Sequence, residues 1–182
     1  MRENMKGRRP TWDEYFMMLA KMTASRSTCL SRPTGAVVVK DRQVLTSGYN
    51  GSLPGEGHCM DDGACFRRSV AWSEEVKYDM CRSAHAEANA IALAAKKGVS
   101  LEGGSIYCTL EPCITCAKLI IMSGIIRVIY ELSYDSPIPE RDKYWKSVLA
   151  SSNITVEQLI LDDEKLRYAV GFLEADTSKR RL

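Results

Sequence analysis

The chain has 182 residues, 45% of them hydrophobic, and its 25 basic and 23 acidic residues leave a formal charge of +2. That length suffices for one sizeable core and falls short of two ordinary domains. Charges this evenly balanced and spread along the sequence exclude the electrostatic footprint of a dedicated nucleic-acid partner, while a small anionic ligand stays compatible.

In chain order, residues 1–15 lack the apolar stretch of a secretory signal, and no apolar run approaches the roughly 18 residues of a membrane span. The expectation is a cytoplasmic protein with no membrane partner. Trp12, Tyr15, Phe16, Leu19 and Met22 recur at helical spacing and predict an amphipathic helix over 12–25, capped by Thr11. GAVVVK (35–40) and VLTSGY (44–49), separated by the polar Asp41, Arg42 and Gln43, predict a hairpin. From 50 to 83 the periodicity gives way to Gly, Pro, charged residues and cysteines. A stretch this long and irregular predicts a functional or metal-tied insertion.

Regular structure returns at 84–97 (AHAEANAIALAAKK), read as a buried helix stopped by Gly98. A strand at 105–109, a helix at 112–123 opened by Pro112 and a strand at 125–131 imply a parallel crossover. The tail predicts a helix at 140–150, a strand at 154–161 and a last polar helix ending in Lys179, Arg180 and Arg181. The domain plan is therefore one domain over 1–182, with an insertion at 50–83 and a C-terminal extension from 135.

Seven cysteines is an odd count, and without an export signal it favours metal ligation or buried thiols over a disulfide framework. Two fragments carry chemistry: His85-Ala86-Glu87 and Pro112-Cys113-Ile114-Thr115-Cys116, each at a predicted helix start. Together they match the zinc-deaminase signature H-x-E followed by P-C-x-x-C. Two cysteines three residues apart on a first helical turn bring both sulfurs to one side, where metal and helix dipole favour thiolates. His85 adds a nitrogen, and three protein ligands leave the fourth tetrahedral position open, as catalytic zinc requires. Glu87 is the expected proton shuttle: activated water adds to C4 of a pyrimidine while Glu87 protonates N3 and later the departing amine. Either fragment alone is weak; the pair, with its proline and entering strand, is specific. Cys108, alternating between Tyr107 and Thr109, reads as core.

At HAEANAI and TLEPCITCAKLIIMSGI the sequence resembles the cytidine deaminase-like superfamily. This implies an α/β fold, a three-layer α/β/α sandwich around a mixed sheet of about five strands. Within that superfamily GAVVVK, TSGYNG and a cysteine-bearing insertion before CRSAHAEANAI resemble deoxycytidylate deaminases. The resemblance implies dCMP hydrolysed to dUMP and ammonia, dCTP and dTTP as effectors, and a homo-oligomer, with hexamers among similar enzymes. It implies that Asn50 hydrogen-bonds the sugar, with nearby backbone on the phosphate, and that Tyr134 lies near the base. The competing readings are a tight turn at Asn50-Gly51 and an ordinary packed tyrosine. Arg82 and Ser83, beside His85, are further candidates. It also implies a second, structural zinc on Cys29, Cys59, Cys65 and Cys81, with His58 an alternative to its neighbour Cys59. TLEPC occurs as well in tRNA adenosine and riboflavin-pathway deaminases, so another substrate (free nucleoside, guanine, riboflavin precursor, tRNA adenosine) is the competing enzyme reading. A non-catalytic zinc module is the competing class, and Glu87 argues against it.

Overall fold

In the computed structural model, which describes residues 9–71, 73, 80–134 and 139–174, the first helix starts where its cap predicts. The Thr11 hydroxyl accepts from the Glu14 N–H at 3.2 Å, and the Glu14 carboxylate accepts from the Thr11 N–H at 2.6 Å. This reciprocal capping box heads α1 (Trp12–Ala24). β1 (Gly35–Lys40) and β2 (Gln43–Tyr49) form the expected antiparallel hairpin. Its two turn residues, Asp41 and Arg42, both hold positive φ, 52° and 62°, the geometry whose twist matches the flanking strands.

Within its described residues, the stretch from 50 to 83 holds more regular structure than its composition predicts. It contains the short paired strands β3 (Gly51–Ser52) and β4 (Ser83–Ala84) and two single-turn helices, α2 (Cys59–Asp62) and α3 (Phe66–Ser69). There follow α4 (Ala86–Lys97), β5 (Ser105–Leu110), α5 (Ile114–Met122), β6 (Arg127–Leu132), α6 (Pro139–Ser151), β7 (Thr155–Gln158) and α7 (Asp163–Leu173). α4 begins two residues later than predicted because Ala84 pairs with Gly51 in β4. It is buried along one face only, through Ala86, Glu87, Ala90 and Ala94, which corrects the expectation of a buried helix. Pro112 precedes α5 and does not open it. β7 stops at Gln158 and is exposed throughout. The basic residues 179–181 lie outside the described residues.

The main sheet runs β2-β1-β5-β6-β7. β1 is antiparallel to both neighbours, whereas β5, β6 and β7 are mutually parallel. This is the mixed five-stranded sheet the resemblance implies. Alternation along the strands divides the core between its faces. Ala36, Val38, Ile106, Cys108 and Val128 pack against Ala90 and Ala94 of α4, Ala117 and Ile120 of α5 and Leu149 of α6. Val37, Val39, Tyr107 and Ile129 pack against Phe16, Met17 and Ala20 of α1, with Leu166 of α7 beside them. Helices thus cover both faces, and three layers result. Among the described residues no helix is long and apolar enough to cross a membrane.

Two features fix the layers in register. Arg127 on β6 binds both oxygens of Asp13 on α1 at 2.9 Å and both of Glu157 on β7 at 2.8 Å, and the Tyr107 hydroxyl donates to Asp13 at 2.6 Å. On the other face, Gly48 of β2 lets α4 lie against the sheet. A Cβ there would stand 2.3 Å from the Ala86 carbonyl oxygen and 2.5 Å from the Ala90 nitrogen.

Candidate active site

The site lies beyond the carboxyl end of β5, where α4 and α5 begin, the usual crevice for a ligand in an α/β sheet. His85 is the N-cap of α4 and Cys113 the N-cap of α5, both with extended backbone (φ −71°, ψ 156° and φ −72°, ψ 168°). Neither side chain makes a capping hydrogen bond, so both are free to turn toward one another. Cys116 lies one turn into α5 and is buried. The His85 Nδ1 atom is 3.4 Å from the Cys113 sulfur and 3.4 Å from the Cys116 sulfur. Zinc with ordinary Zn–N and Zn–S bonds at a tetrahedral angle needs about 3.5 Å between those atoms, so the set fits the ion. It is the one group of three or more potential ligands that converges among the described residues.

The electrostatics suit a cation with a proton carrier beside it. The hydrogen bond between the two sulfurs holds Cys113 low and Cys116 high. The hydrogen bond from His85 adds to the lowering at Cys113, and that same bond raises His85. The positive ends of α4 and α5 both face this point and favour thiolate. Glu87, 4% exposed on the first turn of α4, has its carboxyl pushed up by burial. A carboxyl raised in this way takes up and releases a proton nearer neutrality than an exposed one.

These groups open into a cavity of about 270 Å³. Asn50, Ser83 and Tyr134 line it, as do Arg32, Arg67 and Arg68. The side-chain oxygen of Asn50, Oδ1, accepts from the Ser27 hydroxyl at 2.6 Å and the Thr34 N–H at 2.8 Å, and the side-chain Nδ2 donates to the Arg32 carbonyl at 2.8 Å. Both acceptor positions are used, so toward a ligand Asn50 has only its remaining N–H to offer. Arg82 turns away from the cavity, toward Gly57 and Asp62.

The four thiols expected to hold a second zinc do not meet. Cys59 is buried at the start of α2, whereas Cys29, Cys65 and Cys81 line the cavity. Neither they nor His58 join a converging group among the described residues. Their loose spacing, on a coil, at two short helices and just before β4, leaves their placement to long-range packing. All seven cysteines are free thiols, and burial pushes the Cys108 thiol well up, in keeping with a core residue.

Sequence reasoning missed Glu111. Its carboxylate, 4% exposed just before the ligand loop, accepts from the Tyr134 N–H at 3.1 Å and pairs with Lys146 of α6 at 3.4 Å. Tyr134 in turn lies under the Arg32 guanidinium, 5.8 Å from the ring centre. The arginines of the cavity wall were missed too; the only signal for Arg67 and Arg68 is basic residues inside a cysteine-bearing segment, and Arg32 precedes it.

The family model for the cytidine and deoxycytidylate deaminase zinc-binding region matches residues 10–132. The chain belongs to that family. Zinc is accordingly its cofactor, and the His-Cys-Cys group is what the fold assembles to suit it. Among family relatives, ComE operon protein 2 of Bacillus subtilis is 35% identical over 91% of this chain and 84% of its own length. A deoxycytidylate deaminase of Schizosaccharomyces pombe is 36% identical over 84% of this chain. Family membership there stops at a shared part, since the chain spans 45% of that relative's length. The crystal structure of dCMP deaminase from the cyanophage S-TIM5 in complex with dCMP and dUMP is 28% identical. It superposes with a TM-score of 0.65, covering 83% of this chain and 98% of that one.

Proposed function

We propose that the chain hydrolyses dCMP to dUMP and ammonia, using His85, Cys113 and Cys116 to hold zinc and Glu87 to move protons. The observation that carries this reading is the buried carboxyl of Glu87 beside three ligand atoms at zinc spacing. Zinc, when bound, supplies the Lewis acidity that makes water nucleophilic near neutral pH. Glu87 accepts a proton from the attacking water and delivers it to N3 as the C4–O bond forms. A second proton from the same water then passes through Glu87 to the amine as the C4–N bond breaks. The products are ammonia and a uracil carrying hydrogen on N3.

The choice of a nucleotide rests on the cavity wall and on the relatives. Three arginines, Arg32, Arg67 and Arg68, line the cavity, and a guanidinium matches a phosphate with paired donors. The remaining Asn50 N–H and the Tyr134 ring are the candidate contacts for sugar and base. We read the chain as one deaminase unit over 1–182 with an insertion at 50–83 and a C-terminal extension from 135, a reading supported by a family match that ends at 132. Control by dCTP and dTTP, a homo-oligomer and a cytoplasmic setting follow from likeness to deoxycytidylate deaminases. Sigmoidal kinetics relieved by dCTP support the first, and hyperbolic kinetics indifferent to both nucleotides overturn it.

The test of the activity is direct. Zinc-loaded protein is incubated with dCMP, deoxycytidine, guanine or tRNA, and the deaminated product and ammonia are measured. Formation of dUMP with the highest kcat/KM of the four supports the reading. A zinc-loaded preparation that leaves dCMP intact overturns it.

A further inference from the structure

We infer that Arg82 is a positioning residue for substrate choice: it clamps the 53–69 segment so that Arg67 and Arg68 stand in the cavity wall, and preference for a phosphorylated over a free nucleoside passes through it. This rests on the reading that the cavity takes a cytosine nucleotide.

The segment has little of its own to hold it. α2 and α3 are four residues each, and of their eight residues only Cys59 is buried. Single helical turns are unstable alone, because nucleation fixes several residues for one hydrogen bond. With so little apolar burial the order must come from specific contacts.

Arg82 supplies four of them. Its Nη1 donates to the Gly57 carbonyl at 3.0 Å and its Nη2 to the Asp62 carboxylate at 2.5 Å. Its guanidinium lies over the Phe66 ring at 4.5 Å, and its carbonyl accepts from the Leu53 N–H at 3.1 Å. The anchor points span residues 53 to 66, from before α2 to the first residue of α3. At Gly57 the approach is close enough that a Cβ would meet the guanidinium at 3.0 Å. The Arg82 Nε atom is buried without an acceptor among the described residues, a cost offset by the other contacts that hold the group in this pose.

Phe66 is the link to the cavity. It stacks on Arg82, and the next two residues are Arg67 and Arg68, which line the cavity wall. Arg68 reaches across to the Ser31 hydroxyl at 2.9 Å. Losing the clamp therefore loosens the arginines while leaving His85, Cys113, Cys116 and Glu87 on α4 and α5. The base and the metal are unaffected, and the phosphate keeps Arg32 but loses Arg67 and Arg68 as partners.

The experiment compares zinc-loaded wild type, Arg82→Met and Phe66→Leu in steady-state turnover of dCMP and of deoxycytidine, with zinc content measured in each. The expected result is a KM for dCMP raised about tenfold, the worth of one charge-assisted hydrogen bond. kcat, zinc content and kcat/KM for deoxycytidine stay at wild-type levels. Arg82→Met losing both substrates by one common factor, or both variants keeping the wild-type KM for dCMP, overturns the role of Arg82. Should Arg82→Met fail to fold, Phe66→Leu removes the stack alone and decides the matter by the same comparison. A wild type inactive on dCMP overturns the nucleotide reading itself, and is distinct from an active wild type whose variants are unaltered.

Discussion

Gly48→Ala is the substitution whose consequence the packing states most directly. The added Cβ stands 2.3 Å from the Ala86 oxygen and 2.5 Å from the Ala90 nitrogen. Both are backbone atoms of α4, so no side chain can rotate aside. Restoring ordinary contact moves the helix outward by roughly 1 Å. Overpacking of this kind costs about 1–3 kcal/mol, a fall in melting temperature on the order of 5 °C for a chain of this size. The displaced carbonyl belongs to the residue between His85 and Glu87, so the same shift reaches ligand and proton carrier together. A misplacement of about 1 Å lowers turnover about a hundredfold. The assay is thermal unfolding of the zinc-loaded protein alongside kcat on dCMP. Gly171→Ala is the control: nothing lies within 4 Å of its added Cβ, so turnover is retained. Gly48→Ala with wild-type melting and wild-type turnover refutes the reasoning.

Three further outcomes follow from the site and the layers. Glu87→Gln keeps zinc and loses turnover by about 10²–10⁴-fold, the span of a general acid–base group; metal analysis with single-turnover kinetics checks it, and near-normal turnover removes Glu87 from the chemistry. Cys113→Ser and Cys116→Ser each lose zinc and turnover, whereas Cys108→Ala keeps the metal; equal zinc retention in all three would contradict the ligand set. Arg127 holds the Asp13 and Glu157 carboxyls below their ordinary values of 3.8 and 4.5. With folded values depressed, that stabilisation is complete above the ordinary values and is lost as pH falls through the folded ones. Both carboxylates are largely solvated, so screening limits the gain to about 1 kcal/mol. Unfolding curves below pH 4.5 should be flatter for Arg127→Leu than for wild type, and parallel curves would count against the ion-pair account.

What could be read from the sequence is what local pattern determines. His85-x-Glu87 and Cys113-x-x-Cys116 were legible because each fits one helix start, and helix geometry carries spacing into direction. The hairpin was legible from its β-branched run. Ala84 was misassigned because helix propensity extends back through it, while pairing with Gly51 holds it in β4. Two-residue strands such as β3 and β4 are too short to leave a period. Glu111 was invisible for a different reason: its partners, Tyr134 and Lys146, come from later elements that only the sheet brings back. The same holds for Cys29, Cys59, Cys65 and Cys81. Their residue type suggested a metal, and only packing decides which ligand atoms converge.

The convergence of His85 with Cys113, 28 residues apart, is a property of the sheet order. β1 lies between β2 and β5, so a helix packed on β2 and β1 and a helix following β5 cover the same face as neighbours. Alanines at 86, 90 and 94 keep α4 close to the strands, and Gly48 removes the last obstacle. The two N-termini then open onto one point beyond the end of β5. A residue at an N-cap ordinarily closes its own helix; here both cap positions carry side chains that leave that duty and meet across the gap. The candidate metal site is thus a junction of two helices, and a change that parts them is expected to reach it directly.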